Sequence, residues 1–121
     1  MRDYKFRGMT LNGVWFTGNL AIVKEKLVSG IKPGVYISNA VGSPFAYEVR
    51  PETVGECTGV IDKEGNWIFE GDIIHILTDD MVNVNYKVLV EWGNDGFWKH
   101  FREFDMATVI GNKFENPELL K

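Results

Sequence analysis

Thirteen glycines cut this 121-residue chain into short pieces, and that punctuation limits it to short strands joined by tight turns. The pieces between them are rich in Val, Ile, Phe, Tyr and Trp, side chains that fit a pleated, half-buried surface. Asn12-Gly13 is the first hairpin signal, because both residues can take the positive φ of a type I′ turn. It predicts antiparallel strands over Lys5–Leu11 and Val14–Leu20. Residues 20–28 carry two patterns. Leu20, Val23 and Leu27 have helical spacing before Gly30, while Val14, Trp15, Phe16 and Ile22 favour extended chain. The reading adopted is strand to about Val23, then an irregular or briefly helical piece.

Val35–Ser38 and Phe45–Val49 are expected strands either side of Gly42-Ser43-Pro44. Arg50–Val54 is a connection with at most one helical turn, since Pro51 suits a first helical position. The lobe boundary is placed there, giving residues 1–50 and 51–121. Beyond it, Thr58–Ile61 and Trp67–Phe69 flank the turn 62–66, and Gly71-Asp72 opens the strand Ile73–Leu77. Tyr86–Trp92 and Phe97–Phe101 are joined by Gly93–Gly96, with Tyr86, Val88, Val90 and Trp92 on one face at period two. A strand at Thr108–Ile110 precedes a one-turn helical lid, where Asn116 caps, Pro117 opens, and Leu119 and Leu120 tuck onto the sheet. The expected fold is mainly β, with α+β as the alternative. A small N-terminal antiparallel sheet packs on an SH3-like barrel formed by the second lobe, which ends in a short helical turn.

Apolar residues make up 45% of the chain and charged ones 25%, the balance of an ordinary globular protein and not a disordered one. Charge is divided unevenly. Residues 1–50 hold seven Lys/Arg against three Asp/Glu, and residues 51–121 hold six against fourteen. The acidic second half disfavours wrapping around a phosphate backbone, where each contact requires a cation. Cys57 is the lone cysteine, so no disulfide can close within one chain, and a thiolate zinc site lacks its ligands. That usage fits a reducing compartment. Arg2, Asp3, Lys5 and Arg7 crowd the opening residues and predict no signal peptide, and no apolar run approaches the ~18 residues of a membrane span. A cytoplasm is the expected location.

Pro51-Glu52-Thr53-Val54-Gly55, Thr58-Gly59, Asp62-Lys63, Gly65 and Glu70-Gly71-Asp72-Ile73-Ile74 together resemble the central signature of the YopX-like family. The ending Val109-Ile110-Gly111-Asn112 with Glu115-Asn116-Pro117-Glu118-Leu119-Leu120 is similar too, as is the opening Lys5-Phe6-Arg7 with Trp15, Gly18 and Leu20. The resemblance implies an origin in a bacteriophage or a prophage of a Gram-positive bacterium, unrelated to secreted virulence proteins of similar name. It implies no enzymatic activity; no cofactor is expected. Glu56, Cys57 and Trp67 depart from the family's pattern, which has Gln-Tyr and a polar residue there.

Few residues carry a chemical signature. Asp62, Glu64 and Asn66 alternate like calcium ligands, but Trp67 stands where a glycine is needed and Ile73 where a bidentate glutamate is needed, so a solvated turn is expected. Glu70 and Asp72 could divide acid and base roles only in unlike environments, and a turn is the simpler reading. His75 and His100 lack partner motifs for zinc, and Cys57 lacks an activator. No catalytic or metal residue is assigned. Phe97-Trp98-Lys99-His100-Phe101-Arg102 interleaves aromatics with cations, as single-strand binders do, but Glu91, Asp95, Glu103 and Asp105 surround it.

The expected function is therefore a non-enzymatic protein-interaction module, with a protein partner or self-association into a homo-oligomer. The alternative is nucleic-acid binding through Trp98, Lys99, His100 and Arg102 with the strand Arg2, Lys5 and Arg7. A third reading, an enzyme built on Glu70, Asp72 and His75, requires those side chains to converge in one cleft.

Overall fold

The computed structural model describes residues 5–25, 30–38, 46–77 and 85–121. The chain is mainly β, in antiparallel sheets, and divides into two compact units, Met1–Glu56 and Cys57–Lys121. The division falls within a strand, beyond the Arg50–Pro51 connection. Arg2, the Gly42-Ser43-Pro44 turn and the end of the ambiguous stretch after Glu25 lie outside the described residues.

In the first unit, β1 (Phe6–Met9), β2 (Trp15–Val23), β3 (Gly34–Ser38) and β4 (Ala46–Val49) pair in the order β4-β3-β2-β1. The β-branched and aromatic residues prevail between Trp15 and Val23, so the strand reading holds there. The first hairpin forms with a different turn. Met9 opposes Trp15 and Thr10 bonds to Val14, so three residues, Leu11 to Gly13, make the loop. Only Gly13 takes a positive φ (82°), while Asn12 does not, so a Thr10–Gly13 turn runs into one left-handed glycine and not into a two-residue type I′ turn. Thr10 stabilises this longer loop, its N–H donating to the Val14 carbonyl at 2.9 Å and its Oγ accepting from the Val14 N–H at 3.2 Å.

Pro51–Thr53 is the expected single helical turn, in 3-10 form. Thr53 is fully buried there, its hydroxyl accepting the Met9 N–H at 2.9 Å and donating to the Arg50 carbonyl at 2.6 Å. Gly8 lets the strands close on this point, because a Cβ would stand 2.7 Å from a methyl of Val49. Strand β5 (Gly55–Ile61) starts along β1, with Phe6 opposite Glu56.

The second unit holds the rest of β5, β6 (Trp67–Phe69), β7 (Asp72–Leu77), β8 (Asn85–Leu89) and β9 (Ala107–Asn112). Strands β8-β7-β9 form a three-stranded sheet. Ile68, Ile74, Ile76, Val90, Phe104 and Ala107 make its core, with Tyr86, Val88 and Trp98 packed against it. The core face read from Tyr86, Val88 and Val90 is therefore observed. The barrel is not closed. Among the described residues, the β5–β6 pair meets β9 through isolated bonds, Lys63 N–H to Ala107 O (3.0 Å) and Val109 N–H to Asp62 Oδ2 (2.9 Å), instead of a strand ladder.

Two further expectations change. Phe97–Phe101 is no strand: one bridge pairs Trp92 with Trp98, then a 3-10 helix runs from Phe101 to Met106. His100 switches the chain into left-handed conformation (φ 63°, ψ 21°), which ends any extended run. At the C-terminus, Pro117–Leu120 is the expected helical turn, but Asn116 Oδ1 accepts the Asn112 N–H (3.2 Å) and makes no side-chain cap. Leu120 stays 42% exposed, so only Leu119 is half-buried.

Candidate functional site

Four of the seven residues singled out for binding, Trp98, Lys99, His100 and Arg102, come together on the segment after β8. That segment leaves the sheet because Val90 makes the last paired contacts, to Gly71 and Asp72 (2.9 and 2.8 Å). The chain then folds back on itself: Gly93 N–H reaches Phe97 O at 2.7 Å, and Lys99 N–H reaches Glu91 O at 3.0 Å. Trp92 thus lies past the strand and is 52% exposed, against the expectation that it shares the core face of Tyr86 and Val88.

Trp92 meets Trp98 edge to face, with centroids 4.9 Å apart and planes at 87°. Phe101 meets the buried Phe104 in a similar tilt at 5.7 Å. One ring of each pair is anchored to the core while its mate faces water, an arrangement worth about 0.5–1.5 kcal/mol per pair beyond area burial. Phe97 is the most exposed ring of the group, at 69%. This segment bears an open groove of about 540 Å³, lined by Asp95, Phe97, Trp98, His100, Phe101, Arg102 and Glu103. His100 is the lone non-glycine residue with positive φ among the described residues. It carries its backbone strain inside this lining, with its ring 6.0 Å from that of Tyr86. Burial, and secondarily the charge of Glu103, raises the Tyr86 phenol above its ordinary pKa.

The cations are less available than their number implies. Lys99 Nζ pairs with Glu91 Oε1 at 3.1 Å. Arg7, in the first unit, is half-buried with its guanidinium 4.8 Å over the Trp15 ring, while Lys5 is exposed. The Asp95 and Glu103 positions are the ones sequence reading undervalued: it read them as repelling phosphate and not as part of a lining. The alternation of acids with the aromatic run was the visible signal.

The acidic candidates serve the fold. Asp62 is not solvated but 3% exposed, and its carboxylate accepts N–H groups from Glu64, Asn66 and Val109 at 2.8–2.9 Å. Burial pushes its pKa up, but those backbone bonds outweigh it and hold the carboxyl below its ordinary value. Asp72 is buried and takes the Phe69 N–H at 2.7 Å. His75 lies three residues on, hence on the opposite face of β7, where its Nε2 pairs with Asn85 Oδ1 at 2.7 Å. Asp72 and His75 therefore cannot share a cleft, and the reading that joined them fails. Cys57 is half-buried, its Sγ accepting the Gly59 N–H at 3.4 Å. Among the described residues no group of three or more His, Cys, Asp or Glu is placed to hold a metal ion. No helix there is long and apolar enough to cross a membrane.

The family described as YopX protein matches residues 5–121, nearly the whole chain. Among solved structures, protein EF1440 from Enterococcus faecalis is similar over 98% of this chain and 99% of its own, with a TM-score of 0.57 and 24% identity. That likeness establishes a shared fold. No curated protein matches.

Proposed function

We propose that this chain, which belongs to the YopX protein family, is a non-enzymatic protein-interaction module that docks another polypeptide on the Trp92–Arg102 hairpin. Following the family's implied origin, it is phage- or prophage-encoded and works in the cytoplasm of the bacterial host. One observation carries the proposal: Phe97 and Phe101 stand out of the core in the lining of an open groove, and Trp92 is exposed against Trp98 of the same lining. Aromatic rings held rigidly at a surface are efficient anchors for protein contacts, because they bury much area at little entropic cost. The strained backbone of His100 supports it, since such strain is found where the site geometry is used. Nucleic-acid binding is less well supported, with Lys99 neutralised by Glu91 and acids lining the groove.

A photo-crosslinking amino acid placed at Phe97, in the host bacterium, tests this. The expected product is a discrete protein adduct, absent when the crosslinker is moved to Leu11, which is 84% exposed in the first unit. A nucleic-acid adduct, or no adduct at Phe97, would contradict it. Light scattering of the purified chain then tells self-association from a foreign partner.

A further inference from the structure

We infer that the groove receives a cationic side chain, an arginine or lysine presented by a basic segment of the docked polypeptide. The inference rests on the docking reading and adds the partner's chemistry to it. Phe97 and Phe101 are exposed and Trp98 is half-buried, so the lining offers several ring faces, whose quadrupole attracts a cation. Carboxylates supply the complementary charge. Asp95 accepts the backbone N–H of Phe97 at 3.2 Å, which ties its side chain to that turn, and Asp95 and Glu103 line the same groove. The field of Glu103 already reaches the Tyr86 phenol.

Arg102 is the one permanent cation in the lining, against those two carboxylates. Lys99 adds no positive charge, being paired with Glu91. The larger field has the same sign: residues 57–121 hold six Lys/Arg against twelve Asp/Glu, a net charge of −6. A surface of this sign steers basic segments inward and repels acidic ones and phosphate. Apolar rings alone would accept any greasy side chain. Rings that share a lining with carboxylates, on an acidic unit, select a cation.

The test uses the indole N–H signals of the full ¹⁵N-labelled chain, one each from Trp15, Trp67, Trp92 and Trp98, assigned with Trp→Phe variants. Three otherwise identical Gly/Ser peptides carry Arg and Lys, Glu, or Leu at the same positions, and a single-stranded oligonucleotide is the fourth probe. The basic peptide is expected to move Trp92 and Trp98 and leave Trp15 and Trp67 in place. Glu103→Gln and Asp95→Asn should each weaken that binding about fivefold with the rest of the spectrum unchanged. Binding should also weaken as salt rises.

Movement by the Leu or Glu peptide and not by the basic one overturns the cation inference while leaving the docking reading intact. Movement by the oligonucleotide alone overturns both. No movement with any peptide also overturns the cation inference, and the crosslink at Phe97 then judges the docking reading separately.

Discussion

Two loops of the second unit look alike in sequence and are put to opposite uses. Asp62–Asn66 and Gly93–Gly96 both combine Gly, Asn and acidic residues, with Lys63 added in the first, and both reverse the chain between aromatic or aliphatic neighbours. The first turns its acid inward, where Asp62 gathers three backbone N–H groups and ties the β5–β6 turn to β9. The second is flanked by exposed rings, Trp92 and Phe97, and its acid, Asp95, lines a groove together with Phe97. Investment in hydrogen bonds marks the structural loop. Investment in exposed rings marks the one available to a partner.

The largest expected effect concerns the first loop. Asp62→Ala should lower stability by roughly 3 kcal/mol, since it leaves three backbone donors without a carboxylate, as read by urea unfolding. The same bond set makes a pH prediction. Because Asp62 is depressed when folded, the stability it contributes is fully present above its unfolded pKa and is lost as pH falls through the folded one. Unfolding midpoints should therefore fall below roughly pH 4 in the parent and fall less in Asp62→Asn. A parent and variant with parallel acid curves would erase the contrast between the loops.

Smaller effects belong to the hairpin. Phe101→Ala should cost about 1 kcal/mol, the contact with Phe104. His100→Gly should stabilise the chain by about 0.5–1 kcal/mol by relieving left-handed backbone, and a loss instead would mean the imidazole packs more tightly than its exposure implies. Lys99→Ala should change stability by at most about 0.5 kcal/mol, as exposed ion pairs do.

Much of the fold was legible because strand alternation and turn residues act locally. Strands β6 and β7, the core face of β8 and the helical turn at Pro51 all follow from neighbours in sequence. What was not legible depended on bonds and backbone turns that the residue pattern does not encode. Asp62 reads as solvated until Val109, 47 residues on, supplies a donor. The first hairpin reads as a two-residue turn until Thr10 bonds across it to Val14. Phe97–Phe101 reads as a strand because the Gly93–Gly96 turn makes it the hairpin partner of Tyr86–Trp92, and nothing local announces that His100 turns left-handed or that β8 leaves its ladder after Val90. The binding stretch itself was visible as an aromatic run. Its acids were seen too, but only as obstacles, because their place inside the groove is a property of the folded hairpin.

The central contrast is that the hairpin's outermost ring belongs to recognition and not to folding, and urea unfolding of Phe97→Ser measures this directly. A midpoint equivalent to within about 0.5 kcal/mol of the parent is predicted, because a side chain that faces water contributes little to the folded state. A loss comparable to that of Asp62→Ala would place Phe97 in the core and contradict the account.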